Sequence, residues 1–219
     1  MTTYVKETQT CCLCGTDNEC SIIASTNTRG GGPDLDLRPA PMERGTMEAW
    51  LQECQNCHYV SANLSEQSKD AKSILESADY QSMLENAEIP KVARRFVFCS
   101  LLNAHDREIA ATALLRAAWD CDDHEKIELA DSFRNQSADL LKQLQPFEDD
   151  EERATIGVML IDVLRRASRF EEAIKLANQL LKFKAVKRSG VMLAVVEFQI
   201  SLCETECVEC RKVEEAIVE

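Results

Sequence analysis

Leu164-Arg165-Arg166-Ala167-Ser168-Arg169-Phe170-Glu171-Glu172-Ala173-Ile174 reads as the end of one helix, a tight turn and the start of a second helix. Leu160, Ile161 and Leu164 share a face before the turn, and Phe170, Ile174 and Ala177 share one after it. Small Ala167, Ser168 and Ala173 stand where the two helices must cross closely. Working outward, Ala154 to Lys187 spans both helices. From Leu64 onward the chain keeps that character: Ala, Leu, Glu, Lys and Arg dominate, and Gly157, Gly190, Pro90 and Pro146 are the only glycines and prolines left. The pattern predicts helices over 65–77, 79–88, 91–104, 106–120, 124–144, 149–168, 171–183, 189–202 and 203–218, with short connections that favour antiparallel hairpins.

The 154–187 pair resembles a tetratricopeptide repeat, which has a small residue near its turn and a Phe/Tyr-Glu-Glu-Ala-Ile run opening the second helix. Residues 106–145 match more loosely, through Ala117-Ala118-Trp119 and Ala130. One repeat cannot bury its face alone, so the resemblance implies degenerate repeats stacked on either side.

Residues 1–63 are built differently. They hold six of the eleven cysteines, five of the seven glycines and three of the five prolines, with no helical stripe. A domain boundary is therefore expected near Asn63, with 1–63 and 64–219 as the two parts and Asn63 or Ser65 as an N-cap. Two knuckles stand out: Cys11-Cys12-Leu13-Cys14-Gly15 and Cys54-Gln55-Asn56-Cys57-His58, with 39 residues between Cys14 and Cys54. Two Cys-x-x-Cys turns can place Cys11, Cys14, Cys54 and Cys57 at the corners of a tetrahedron, which suits a structural Zn²⁺ ion. Gly15 fits the position after the second cysteine, where the turn favours positive φ, and His58 takes the equivalent place. Cys12 competes with Cys11 by position, although the two-residue spacing favours Cys11. His58 as a ligand, paired free thiols and a redox pair rank below the zinc reading, since no βαβ context surrounds either motif. A closed set of four thiolates leaves no open position for substrate.

The order Cys-x-x-Cys-Gly, loop, Trp50-x-x-x-Cys54-x-x-Cys57-x-Tyr59-Val60, then repeat-like helices, resembles a bacterial family of unknown function in which a zinc ribbon is fused to tetratricopeptide-like helices. The resemblance implies zinc on the same four cysteines and carries no reaction. His58 departs from the glycine usual there. Between the knuckles, Ser25 to Pro39 contains Gly30-Gly31-Gly32 and reads as a solvated loop in which Asp36 and Arg38 could pair or meet a ligand. Met47 to Glu53 reads as the strand entering the second knuckle, and Tyr59-Val60 as the one leaving it.

At the other end, Cys203-Glu204-Thr205-Glu206-Cys207-Val208-Glu209-Cys210 has the Cys-x₃-Cys-x₂-Cys spacing of radical S-adenosylmethionine enzymes, without the barrel that those enzymes need. The expectation is a continuing helix whose Cys203, Cys207, Cys210, Val213 and Ile217 form one buried stripe, ahead of a second metal site or a metal/thiol enzyme. Residues 165–188 carry eight Lys or Arg against Glu171 and Glu172 and are the first choice for a partner-facing surface. The net charge of −13 argues against a general nucleic-acid coat, and residues 1–63 have four basic against eight acidic residues, so a nucleic-acid regulator ranks second. His105 and His124 read as turn residues. Neither a Gly-x-Ser-x-Gly nor a His-Glu-x-x-His is present, so no catalytic residue is assigned. A polar Met1–Gln9 and the absence of any long apolar run point to a cytoplasmic protein without signal peptide or membrane span, where close cysteines hold metal more often than disulfides. The combined expectation is mainly α: a small β zinc ribbon followed by a helix-hairpin array that binds a protein or peptide.

Overall fold

Strand β1 (Thr3–Thr10) runs into the first knuckle and returns as β2 (Asp17–Ser25), in antiparallel register from Thr10 opposite Asp17 to Thr3 opposite Ser25. This computed structural model describes residues 2–217; Val218, the last residue of the helix expected over 203–218, lies outside it. After the loop that follows, α1 (Pro41–Arg44) opens on a proline, which forgoes only an N–H that the first turn leaves free. The strand expected from Met47 is mostly absent. Ala49 N–H donates to Thr46 O and Trp50 N–H to Met47 O, which coils 47–49 into a 3₁₀ turn and leaves only β3 (Gln52–Glu53). That strand pairs with β4 (Val60–Ser61) across the second knuckle.

The first expected helix is also shorter. Residues 64–70 stay irregular because they are tied to the knuckle: Cys12 N–H donates to Leu64 O at 2.9 Å and Leu64 N–H to Gln9 Oε1 at 3.0 Å. The Tyr59 hydroxyl takes the Ser68 N–H, so helix begins only at α2 (Ala71–Leu75). Asn63 accepts the Ser65 N–H through its side chain, capping a turn rather than a helix.

The remaining helices are α3 (Ala78–Glu85), α4 (Lys91–Leu102), α5 (Arg107–Asp123), α6 (Ile127–Lys142), α7 (Glu151–Arg166), α8 (Phe170–Leu180), α9 (Lys184–Arg188) and α10 (Gly190–Glu204). Asp106, Asp150 and Ser189 cap α5, α7 and α10 by accepting backbone N–H groups of the first turn. The protein is thus mainly helical, with a small N-terminal two-stranded sheet and a cysteine cluster.

Side-chain contacts fix the helix directions. Ala93 N–H of α4 reaches Asp120 near the far end of α5, and Ser137 Oγ of α6 reaches Ala111 O near the start of α5, so neighbours in sequence run antiparallel. Arg153 meets Glu108 at the N-terminal ends of α7 and α5, and Arg166 meets Asp122 at their C-terminal ends, so α5 and α7 run parallel. Gln199 on Val158 O and the Cys207 carbonyl on Arg165 place α10 parallel to α7. The core between these layers is mostly apolar, with paired charges such as Asp162 and Arg165 buried in it, and α7 fits α8 closely because Gly157 offers no side chain: a Cβ there would lie 2.9 Å from Leu180 Cδ1. Arg169 N–H bonds Leu164 O and Ser168 takes a left-handed φ of 58°, which makes the 167–169 turn tight. No helix among the described residues is long and apolar enough to cross a membrane.

Candidate metal centre

The two knuckles are built alike, although one closes a long hairpin and the other a two-residue one. In the first, Cys11 N–H donates to Thr16 O and Gly15 N–H to Cys11 O, both at 2.9 Å. In the second, Cys54 N–H donates to Tyr59 O at 2.8 Å and His58 N–H to Cys54 O at 3.0 Å. Each turn needs a left-handed residue after its second cysteine, Gly15 at φ 74° and His58 at φ 60°. Histidine tolerates that conformation here with its ring turned outward, Nδ1 lying 2.9 Å from Glu53 Oε1.

The structure brings Cys11, Cys14, Cys54 and Cys57 together, with all four sulfurs within 4.8 Å of one another. Cys11 Sγ lies 3.6 Å from Cys57 Sγ and Cys14 Sγ 3.5 Å from Cys54 Sγ, so the contacts run between knuckles. These separations are far beyond a disulfide bond of about 2.05 Å. They match the corners of a tetrahedron, about 3.8 Å apart, around an ion bonded to sulfur at ~2.3 Å. The donor set therefore fits a tetrahedral, thiophilic metal ion. Cys12 does not belong to it, and neither does His58, whose ring is engaged by Glu53.

The sulfur electrostatics suit a cation. The Thr16 hydroxyl and backbone, then the Asn56 side chain, hold the Cys14 thiol down at about 5, so it ionises readily. Burial pushes Cys11 and Cys57 up instead. A bound cation would supply the charge that lets those two ionise as well. Sequence reading missed Asn18, which links the knuckles: its Nδ2 donates to Thr16 O at 2.8 Å and faces Cys54 Sγ at 3.7 Å, while its Oδ1 accepts the Gln55 N–H. An asparagine in a strand carries no local signal of that role. From behind, the Tyr80 hydroxyl donates to His58 O and the Tyr80 ring stacks on Phe98, so α3 and α4 support the second knuckle.

The loop between the knuckles is the expected solvated excursion only over 25–33; Asp34, Leu35, Asp36 and Arg38 turn inward. Asp36 is 0% exposed: its Oδ2 accepts Trp119 Nε1–H at 2.7 Å and meets Arg166 at 3.2 Å. The Arg38 guanidinium is buried against Asp123, while its backbone N–H donates to Asp36 Oδ1 at 3.2 Å. Arg166 also bonds Asp122, which Arg134 approaches from α6. A buried charge is stable only when paired, and these groups pair one another across 12 to 130 residues of chain.

Two further expectations are modified by the same kind of pairing. The basic stretch turns three of its eight cations inward or onto acids, Arg165 and Arg166 being buried and Arg169 engaged by Glu172 and Asp139, while Lys175, Lys182, Lys184, Lys187 and Arg188 stay exposed. The helix expected over 203–218 ends at Glu204, with Glu206 left-handed at φ 53°. Arg165 captures the carbonyls of Cys207 and Glu209, and 211–213 instead pairs with the loop, Leu35 N–H on Arg211 O and Val213 N–H on Pro33 O. Cys203 is buried, while Cys207 and Cys210 leave the helix, so the three share no helical stripe. They form no metal-ready group among the described residues. His105 lies in the turn before α5, and His124 closes α5. Comparison with protein families, with curated proteins and with solved structures found no match to this chain.

Proposed function

We propose that this protein is a zinc-stabilised, non-enzymatic scaffold for a protein or peptide partner. In this reading Cys11, Cys14, Cys54 and Cys57 hold one structural Zn²⁺ in a zinc ribbon, and α4–α10 form a degenerate array of tetratricopeptide type. The observation that carries it is the tetrahedral spacing of four sulfurs on two like-built knuckles. A four-thiolate ion has no open coordination position, which supports a structural rather than a catalytic metal. The parallel run of α5, α7 and α10, with α6 and α8 antiparallel between them, supports the repeat reading. Eleven unpaired thiols support a reducing, cytoplasmic setting. Elemental analysis of protein purified without added metal tests the proposal: about one zinc per chain is expected, lost in Cys54→Ala/Cys57→Ala. Iron in place of zinc, or zinc retained by the variant, would overturn the assignment.

A further inference from the structure

Seven arginines bury their Nε atom without a hydrogen-bond acceptor. Six of them anchor terminal nitrogens on a carboxylate or a carbonyl, as Arg38 does on Asp123 and Arg94 on Leu84 O. Arg116 of α5 is the exception: among the described residues it has neither an ion-pair partner nor a hydrogen bond. Its guanidinium lies 5.2 Å from the centre of the Trp50 ring and lines an open cleft of about 440 Å³ with Leu37, Pro39, Glu43, Trp50 and Trp119.

The walls narrow the chemistry of a ligand. Trp50 Nε1–H is spent on Thr46 Oγ1 and Trp119 Nε1–H on Asp36, each at 2.7 Å, so the two indoles offer only apolar surface. Leu37 is held left-handed at φ 65° by the 34–37 turn, with its side chain exposed at the rim. Arg116 is thus the one free polar donor, a planar fork that matches a carboxylate. Glu43 across the cleft forms no ion pair among the described residues, and its negative charge disfavours a dianion such as a phosphate monoester. A half-buried cation whose only partner among the described residues is an indole face lacks a compensating anion, and one brought by a ligand would supply it.

We propose that this cleft binds a monocarboxylate carrying an apolar or aromatic body, the carboxylate on Arg116 and the body between Trp50 and Trp119. The carboxylate can come from a free organic acid or from a peptide chain end.

The chain has two tryptophans and both line the cleft, so intrinsic fluorescence of the full-length, metal-loaded protein reads it directly. Titration with benzoate should give a saturable change, whereas benzamide, of the same shape without the charge, should give none. N-acetylphenylalanine distinguishes the sources: tighter binding than benzoate assigns a peptide chain end, and weaker binding a free acid. Arg116→Gln should weaken benzoate about tenfold or more, and Glu43→Gln should tighten it. An unsaturable response, an equal response to benzamide, or unchanged affinity in Arg116→Gln would overturn the proposal. Should Arg116→Gln lose helicity, Arg116→Lys serves instead: it keeps the charge but not the fork, and undiminished affinity there would also count against the site.

Discussion

Two groups of cysteines, one near each end of this chain, have metal-like spacing, and the structure treats them oppositely. Cys11, Cys14, Cys54 and Cys57 converge on one point from two turns. Cys203, Cys207 and Cys210 lie along a helix end and the extended segment after it, with Cys203 buried and Cys210 exposed. The spacing is comparable, so spacing is not what separates them. The N-terminal pairs sit in turns closed by backbone hydrogen bonds and a left-handed residue, which aim both sulfurs to one side. The C-terminal segment is aimed by Arg165, which holds backbone carbonyls and leaves the thiols unorganised. Charge separates them too. Cys14 is held at about 5 by its hydrogen bonds with Thr16. Burial pushes Cys203 up to about 11, and it pushes Cys210 up to about 12, where the sulfur is crowded beside Asp34 although the residue as a whole is exposed.

The sharpest way to break this comparison is to remove each group's organiser. Cys54→Ala/Cys57→Ala should abolish metal binding, forfeiting apparent binding free energy on the order of 10 kcal/mol. The sheet around residues 3–61 should lose its order while far-ultraviolet circular dichroism keeps most of its helical signal. Survival of the sheet without metal would contradict the account.

Next in size is Arg165→Ala, which leaves Asp162 buried without its partner and frees two carbonyls. It should cost about 3–5 kcal/mol in denaturant unfolding without changing metal content. This effect depends on pH. Burial, opposed by Arg165, already holds Asp162 at about 6, above the ~3.9 of an unfolded aspartate. The ionised carboxylate therefore destabilises the fold above pH 6, and the penalty fades as the pH falls from 6 toward 4. Relative to wild type, Arg165→Ala should be least destabilised near pH 5; a deficit that grows on acidification would exclude Asp162 as the cause.

A smaller effect compares the two knuckles. Gly15→Ala puts a side chain at φ 74° in open space, so it should cost about 1 kcal/mol through backbone strain alone. His58→Gly relieves the same strain but gives up the contact with Glu53, and should shift the melting temperature less and in the opposite direction. Equal losses at both sites would mean that the knuckles are not equivalent.

The smallest effect is expected from Cys203→Ala/Cys207→Ala/Cys210→Ala, with metal content unchanged and stability lowered by about 1 kcal/mol or less, mostly from Cys203 in the core. In wild type, Cys203 should resist iodoacetamide at pH 7, being buried and protonated. Rapid labelling there would show that the end of α10 opens.

The readable parts of this chain were those whose cause is local. Each knuckle closes within six residues, so Cys-x-x-Cys and Gly15 carry their geometry in plain view. The 167–169 turn is equally local. The loop at 34–38 was not readable, because Asp36 is buried by Trp119 and Arg166, and neither residue says so where it stands. Within the basic stretch 165–188 the inward turn of Arg166 and the pairing of Arg169 were unreadable for the same reason: the acids that pair them come from the loop, α5, α6 and α8. The helix over 203–218 failed because Arg165, some forty residues upstream, takes the carbonyls that the next helical turn would have used. The periodicity of Cys203, Cys207 and Cys210 is real on paper and is overruled by one buried side chain.

Cobalt substitution tests the central claim most directly, because visible absorption reports tetrahedral geometry and thiolate charge transfer together. The metal-free protein, the Cys54→Ala/Cys57→Ala variant and the Cys203→Ala/Cys207→Ala/Cys210→Ala variant would each be titrated with Co²⁺. The account predicts one tetrahedral, thiolate-bound ion per chain in wild type and in the C-terminal variant, and none in the N-terminal variant. A second ion per chain, or a signal lost with the C-terminal cysteines and kept without Cys54 and Cys57, would contradict it.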